Sequence, residues 1–515
     1  MKTTVFSILA FLPIVAFAQF GVLDSDFDAD GKLHFQVTDV STRGTDVLVQ
    51  SDGKILVCGY YTGQNMPAFY IRRLFPDGSL DNAFGVNGTA VVILNQVVLE
   101  IHAMALQSDG KIVVVGGVNG GMVGQIVMRL NGTDGLLDQT FGNGGYTLIP
   151  YSTTSFLFDV AIQSDGKIVA AGITAESDFD ITVVRLNTDG SMDNTFSFDG
   201  KVVTDVDLAD WAQGLVIGSD DKITIAGSTE HPGGNRNGLL VRYNADGTLD
   251  NSFGTAGKLE VDYSNFVDEF HNLAIDGAGS YYAVGATNAG GDYNMFVSKI
   301  TPNGALDNNF SFDGIVEADF AFEDDRAWDV LLQPDGNILV VGSSENVNGK
   351  SLALLRLTGN GTLDQSFGTG GKVVTDAGTS DEYRAVTLQN DLKILAAGTI
   401  IDIQFNERNA IVARYTSGMN VGIGEVDAYI GSTLVYPNPI TDNQVTIEYE
   451  LQSDETVSIE LFDLSGKMIA QLQPSIRQVA GSHQKTLALP SLSTGNYLLR
   501  LNTNSGSVSV QLSIQ

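Results

Sequence analysis

Short apolar runs, each cut off by a glycine or Asn-Asp turn, follow one another along most of this chain. Ala385-Val386-Thr387-Leu388 ends at Asn390-Asp391, Lys393-Ile394-Leu395-Ala396-Ala397 ends at Gly398, and Ala410 to Tyr415 makes a third run. Earlier copies of the pattern add a fourth, such as Lys372-Val373-Val374-Thr375, after the phrase Asp-Gly-x-Leu-Asp-x-x-Phe-Gly. Brief runs at roughly 8–12-residue spacing, with almost no helical periodicity, predict β-strands joined by tight turns. Four such strands in succession predict one antiparallel sheet per unit.

The unit recurs. Its Leu-Asp-x-x-Phe aspartate falls at Asp24, Asp81, Asp138, Asp193, Asp250, Asp307 and Asp364, with steps of 57, 57, 55, 57, 57 and 57 residues. A period that regular means one supersecondary unit copied in tandem, each copy burying its apolar face on its neighbours. The expected fold is all-β, a seven-bladed β-propeller over residues 19–418. The array opens on a fourth strand, near Lys32 to Phe35, and finishes after a third, near Tyr415. Residues 31–37 should therefore pair beside Ile411 and close the ring, which removes the edges that an open solenoid would present. After Gly418 the period stops. Residues 419–433 read as a linker, and alternating runs such as 445–449, 457–462 and 497–501 predict a small Ig-like β-sandwich over residues 434–515.

Charge narrows the function. The chain has 28 Lys+Arg against 61 Asp+Glu, a formal net charge of −33. That excludes a nucleic-acid partner, which demands a basic surface, and a polybasic membrane-surface role. Residues 1–18 read as a signal peptide: Lys2, an apolar run from Val5 to Phe17, then Ala16-Phe17-Ala18 before Gln19. No later run is long enough for a transmembrane segment. The reading is Sec-type export followed by secretion or outer-cell-surface location. The only cysteine, Cys58, stands where other copies carry Val or Ala and reads as a small core residue.

The repeat phrase, with Leu80-Asp81-x-x-Phe84, Gln107-Ser108-Asp109-Gly110-Lys111 and Arg129-Leu130-Asn131 as one full instance, resembles the delta-60 repeat family of bacterial surface proteins. That resemblance covers residues 21–418 and implies β-propellers without an assigned activity. Copy five departs most, with Asp276-Gly277-Ala278-Gly279-Ser280 at the turn and Lys299 in place of arginine. The tail carries Tyr436-Pro437-Asn438-Pro439, Leu464-Ser465-Gly466-Lys467 and Gly495-Asn496-Tyr497. These resemble the C-terminal sorting domain of the type IX secretion system. The resemblance implies the secretion machinery of a Bacteroidetes-type bacterium as partner, with Tyr436, Pro437, Asn438, Pro439, Gly466 and Gly495 as sorting-motif residues.

Candidate chemistry is sparse. The repeated aspartates are expected in turns, paired with Arg73, Arg129, Arg185, Arg242, Arg356 and Arg414. The five histidines show no metal-ligand spacing, and neither a P-loop nor a Gly-x-Ser-x-Gly elbow occurs. Asp26, Asp28 and Asp30 begin a calcium-loop pattern, but Val37 holds the twelfth position, so a degenerate turn is the favoured reading. The copies disagree in their second and fourth connections, at 60–67, 229–238, 400–409, 205–211, 262–270, 319–328 and 376–383. Those connections share one face of a propeller. Variable loops on a rigid scaffold are where binding resides, so Trp211, Asp268, Glu269, Phe270, Asp324, Asp325, Trp328 and Tyr383 are the expected ligand-binding residues on that rim. The acidic loops fit an extracellular glycan, protein or cation, with calcium the one cofactor compatible with them. The favoured function is a surface-displayed binding, adhesion or structural module with no catalytic residues. The alternative is a secreted carbohydrate-active enzyme using Asp268, Glu269, Asp324 and Asp325 as acid and base.

Overall fold

A computed structural model of the chain describes residues 20–38, 40–62, 68–94, 97–120, 123–151, 153–175, 178–263, 266–289, 291–320, 323–347, 349–401, 407–419, 434–436, 440, 443–451, 453–463, 468–490, 492, 495–503 and 507–514. The signal peptide, the linker, Pro437 to Pro439 and Gly466 lie outside the described residues. Every regular element among the described residues is a strand.

Between Lys32 and Tyr415 the strands form seven four-stranded antiparallel sheets. Thr42–Val49, Ile55–Tyr61, Ala68–Leu74 and Thr89–Val92 make the first, each strand bonded to the next in sequence. The last sheet takes three strands from Glu382–Leu388, Ile394–Ile401 and Arg408–Tyr415 and borrows its fourth, Lys32–Phe35, from the start of the array. His34 stands opposite Ile411, the pairing that the two incomplete ends of the array predict. A separate buried core lies between each neighbouring pair of sheets. The core that unites Val47, Ile55 and Val57 with Ala385, Leu395 and Val412 joins the first sheet to the last. Second and third strands are buried on both sides because each sheet is covered twice, which is why they read as unbroken apolar runs.

The repeat phrase is an inter-sheet clamp. Arg185 gives Nε to Asp193 Oδ2 at 2.7 Å, Lys167 approaches the same oxygen at 3.3 Å, and the Arg185 guanidinium lies 4.7 Å from the Phe196 ring centroid. Arg185 Nη1 also donates to the Ala245 carbonyl on the next sheet. Arg73 reaches Gly132 in the same way at 2.6 Å, and Arg414 reaches Pro76 at 2.6 Å, a clamp across the closure itself. Burial alone would raise the Asp193 carboxyl. Hydrogen bonds from Thr195 and the adjacent Arg185 and Lys167 outweigh it and hold the group at about 2. Copy five keeps the pair with lysine, Lys299 to Asp307 at 3.2 Å.

The tail forms two further antiparallel sheets, one from Leu434–Tyr436, Gln444–Leu451 and Gly481–Ala488, the other from Glu455–Asp463, Met468–Gln478, Gly495–Asn502 and Ser507–Ile514. Val445, Ile447 and Tyr449 on one share a core with Ile459, Leu461, Leu499 and Leu512 on the other. Tyr436 sits at the edge of the first sheet, where its hydroxyl donates to Glu448 at 2.5 Å. Gly495 opens a strand of the second.

Candidate functional site

The first strand of each sheet is the one that faces the axis, and each touches its counterparts on both neighbouring sheets around the ring. Seven times that strand is interrupted by a one-residue β-bulge. The register slips around Thr45, His102, Phe158, Gln213, His271, Trp328 and Arg384. Bulges re-aim side chains, and here all seven bulged residues line a single cavity of about 250 Å³ on the axis. The repeat's glycine explains the bulge. A Cβ on Gly59, Gly116, Gly172, Gly227, Gly285, Gly342 or Gly398 would overlap the carbonyl oxygen two residues before the bulge on the facing strand.

Around the axis the chain thus builds rings of equivalent positions. The ring just after the bulge holds Asp46, Ala103, Asp159, Gly214, Asn272, Asp329 and Ala385. Asp46, Asp159 and Asp329 each accept one N–H from their own strand and one from the next sheet, at Met104 (2.8 Å), Leu215 (2.6 Å) and Val386 (2.7 Å). Burial raises these carboxyls to about 6, 7 and 8 in spite of those bonds. In the bulge ring, Trp328 is sandwiched. The His271 ring stacks on it at 4.1 Å and the Arg384 guanidinium at 3.6 Å. Behind it Glu269 ties His271 (3.2 Å), Arg326 (2.7 Å) and Arg236 (3.3 Å) together. Burial would raise Glu269, but His271 and the two arginines bring it down to about 2.

Of the residues expected on a variable rim, Trp328 is the one that lines this cavity. The expected placement in loops is corrected for most of the others, which lie within strands. Phe270 and Tyr383 are fully buried between sheets, Phe270 stacked on Phe296 and Tyr383 bonded through its hydroxyl to Tyr415 at 2.7 Å. Asp268 and Asp325, also buried, accept backbone N–H groups of the preceding connection at Tyr263 (2.7 Å) and Phe320 (2.5 Å). Asp210 and Asp381 do the same at equivalent positions, so this is a loop lock. Glu269 belongs to the ion-pair network, Asp324 accepts Tyr293 N–H at 3.1 Å, and Trp211 packs on Phe179. Asp26, Asp28 and Asp30 form an exposed turn in which Asp30 caps Lys32. Asp180, Asp205 and Asp210 bring carboxylate oxygens within 4.8 Å of one another, enough to hold a cation but with Asp210 already engaged in its loop.

A signal for the axial residues did exist. Each bulged residue stands seven positions before the turn residue at Asp52, Asp109, Asp165, Asp220, Ala278, Asp335 or Asp391. That column reads Thr, His, Phe, Gln, His, Trp, Arg.

Residues 434–515 match the family described as a secretion system C-terminal sorting domain. Residues 50–84, 107–141, 163–196, 218–253 and 333–367 match repeats of a β-propeller domain of unknown function, DUF5122. The sorting domain implies the type IX secretion machinery and an extracellular or cell-surface location. No curated protein matches the chain. Among solved structures, a protein of unknown function from Dyadobacter fermentans is 11% identical, with 75% of this chain and 99% of that chain covered at a TM-score of 0.39. An ulvan lyase of polysaccharide lyase family PL25 is 12% identical, with 78% and 95% covered and a TM-score of 0.39. Sqt1 from Chaetomium thermophilum is 10% identical, with 75% and 98% covered, also at 0.39.

Proposed function

We propose that the chain is an exported, closed seven-bladed β-propeller with an Ig-like sorting domain, displayed on the outer cell surface as a binding module. Its ligand site is the axial cavity rather than the variable rim. One observation carries this reading: a scaffold of repeated strands and turns places seven side chains, of six kinds, at one level around one hole. A binding site needs unlike polar and aromatic groups brought together once, and the bulge ring is where this chain does so. Adhesion or assembly at the surface would then act through whatever occupies the channel.

The test is to fill the channel. The mature protein and Gln213→Trp would be screened by calorimetry against small polar metabolites and glycans, with Asp376→Ala as a rim control. Compounds bound by the wild type should be lost in Gln213→Trp, at an unchanged melting temperature, and kept in Asp376→Ala. Binding that survives a filled channel would sink the axial reading.

A further inference from the structure

Arginine is scarce in this acidic chain, and eight of the twelve guanidiniums of the propeller are held in ion pairs that build the fold. Six are held in the inter-sheet clamps, and Arg236 and Arg326 share Glu269. Of the four that remain, Arg72 gives Nε to Thr89 Oγ1 at 3.1 Å and lies over the Phe35 ring, Arg408 stands at the start of its strand, and Arg43 and Arg384 border the axial cavity, at the seam between the first and last sheets. The Arg43 guanidinium makes no hydrogen bond or ion pair with a described residue and lies over the Tyr60 ring, its Cζ 5.7 Å from the ring centroid. Arg384 gives Nε and Nη2 to Glu382 Oε1, at 3.0 and 2.7 Å, and keeps Nη1. On the basis of the axial reading above, we propose that this seam captures the carboxylate of a small organic acid.

The neutral groups beside the arginines point the same way. Burial raises the Tyr60 phenol, with Arg43, Arg384 and Arg408 close enough to oppose it, so the hydroxyl keeps its proton at neutral pH and can donate. Burial, reinforced by the Arg384 charge, lowers His102 to about 4, so its ring is neutral there. His102 Nε2 is buried without a hydrogen-bond partner among the described residues. A wall with two guanidinium edges, a phenol and an imidazole nitrogen offers more donors than acceptors. Four of the carboxyls nearby are engaged: Asp46, Asp159 and Asp329 each hold two backbone N–H groups, and Glu382 holds Arg384 through Oε1.

A carboxylate brings acceptors alone, in the planar arrangement that a guanidinium meets with two parallel bonds. Two features narrow the rest of the ligand. Both faces of Trp328 are covered, by His271 and Arg384, so the tryptophan is not free as a stacking platform for a sugar ring. The cavity, at about 250 Å³, lies below the range of roughly 300–1,000 Å³ that suits drug-sized ligands, so the occupant is small. The molecule as a whole is strongly acidic and its field repels anions. Retention of one therefore depends on the local arginines.

Calorimetry on the mature protein would compare sodium lactate with propane-1,2-diol and sodium glucuronate with glucose, each acid against a neutral counterpart of similar size. The acids should bind and the neutral compounds should not. Arg43→Gln should weaken acid binding by about tenfold or more, the loss expected for one charge-assisted hydrogen bond. Its melting curve should stay unchanged, since the Arg43 guanidinium holds no hydrogen bond or ion pair among the described residues. Arg384→Gln should weaken binding as well. Equal binding of acid and neutral compound, or undiminished acid binding by Arg43→Gln, would overturn the carboxylate assignment and leave the axial site standing. If none of the four compounds binds while the channel-filling screen still yields ligands, the assignment also falls. Failure of both experiments removes the two readings together.

Discussion

Gly227 lacks a side chain for a reason that lies on the neighbouring strand: the Trp211 carbonyl oxygen occupies the place where a Cβ would stand. The bulge at Gln213 pushes that carbonyl outward, and the same contact recurs at the equivalent glycine of every sheet. One repeated glycine therefore preserves the irregularity that turns Gln213 toward the axis. Gly227→Ala must move backbone on one strand or flatten the bulge on the other. Overpacking of this kind costs about 1–3 kcal/mol, so the urea midpoint should fall by a corresponding amount. Because the bulge aims Gln213, ligand response should change along with stability. A Gly227→Ala protein as stable as wild type would show that the bulge does not depend on the glycine.

Along the inner strands, aspartate and small residues alternate from sheet to sheet: Asp46 then Ala103, Asp159 then Gly214, Asp329 then Ala385. Each aspartate reaches over its small neighbour to bond the next strand's backbone. An odd number of sheets cannot alternate without a fault, and the fault is Asn272, next to Asp329. Its Nδ2 donates to Asp329 Oδ1 at 2.7 Å, an arrangement two carboxylates could not share while both are ionised. Asn272→Asp should therefore cost about 1–3 kcal/mol at about pH 10, well above the Asp329 value of about 8, the penalty of a buried group left unsatisfied, and much less at pH 5, where the pair can share a proton. Denaturant titrations at both pH values check this, and an equal cost at each would refute it. This element also marks the boundary of what was legible beforehand. The strands, the turn aspartates, the arginine pairs and the Lys32–Phe35 closure follow from local periodicity. The bulge follows from cross-strand register, which no single run of residues displays. Phe270 and Tyr383 looked exposed because they follow acidic connections. The strands in fact begin at Asp268 and Glu382, two residues and one residue earlier respectively, and alternation then turns both rings into the core.

At the scale of the whole ring, two sets of aspartates pull stability in opposite directions with pH. The clamp carboxyls are depressed in the fold: Asp193 lies at about 2 against an ordinary 3.8, and Asp24, Asp81, Asp138, Asp250, Asp307 and Asp364 are lowered too. The unfolded chain binds more protons there, so their contribution is present above the ordinary value and is lost as the pH falls toward 2. The axial carboxyls are raised, Asp46 to about 6, Asp159 to about 7 and Asp329 to about 8, and the loop locks Asp325 and Asp381 to about 6. Here the folded chain holds the extra protons, so stability is greatest below the ordinary value and declines as the pH climbs to about 8. The net charge of −33 adds self-repulsion in the same upper range. The propeller's melting temperature should accordingly peak in mild acid, at roughly pH 4–5, and fall on both sides. Asp159→Asn removes one of the upper titrations and should flatten the decline between about pH 5 and 8 while leaving the acid limb as it was. A melting temperature that rises from pH 5 to pH 8, or an Asp159→Asn profile parallel to wild type across that interval, would show that the axial carboxyls are ionised in the fold.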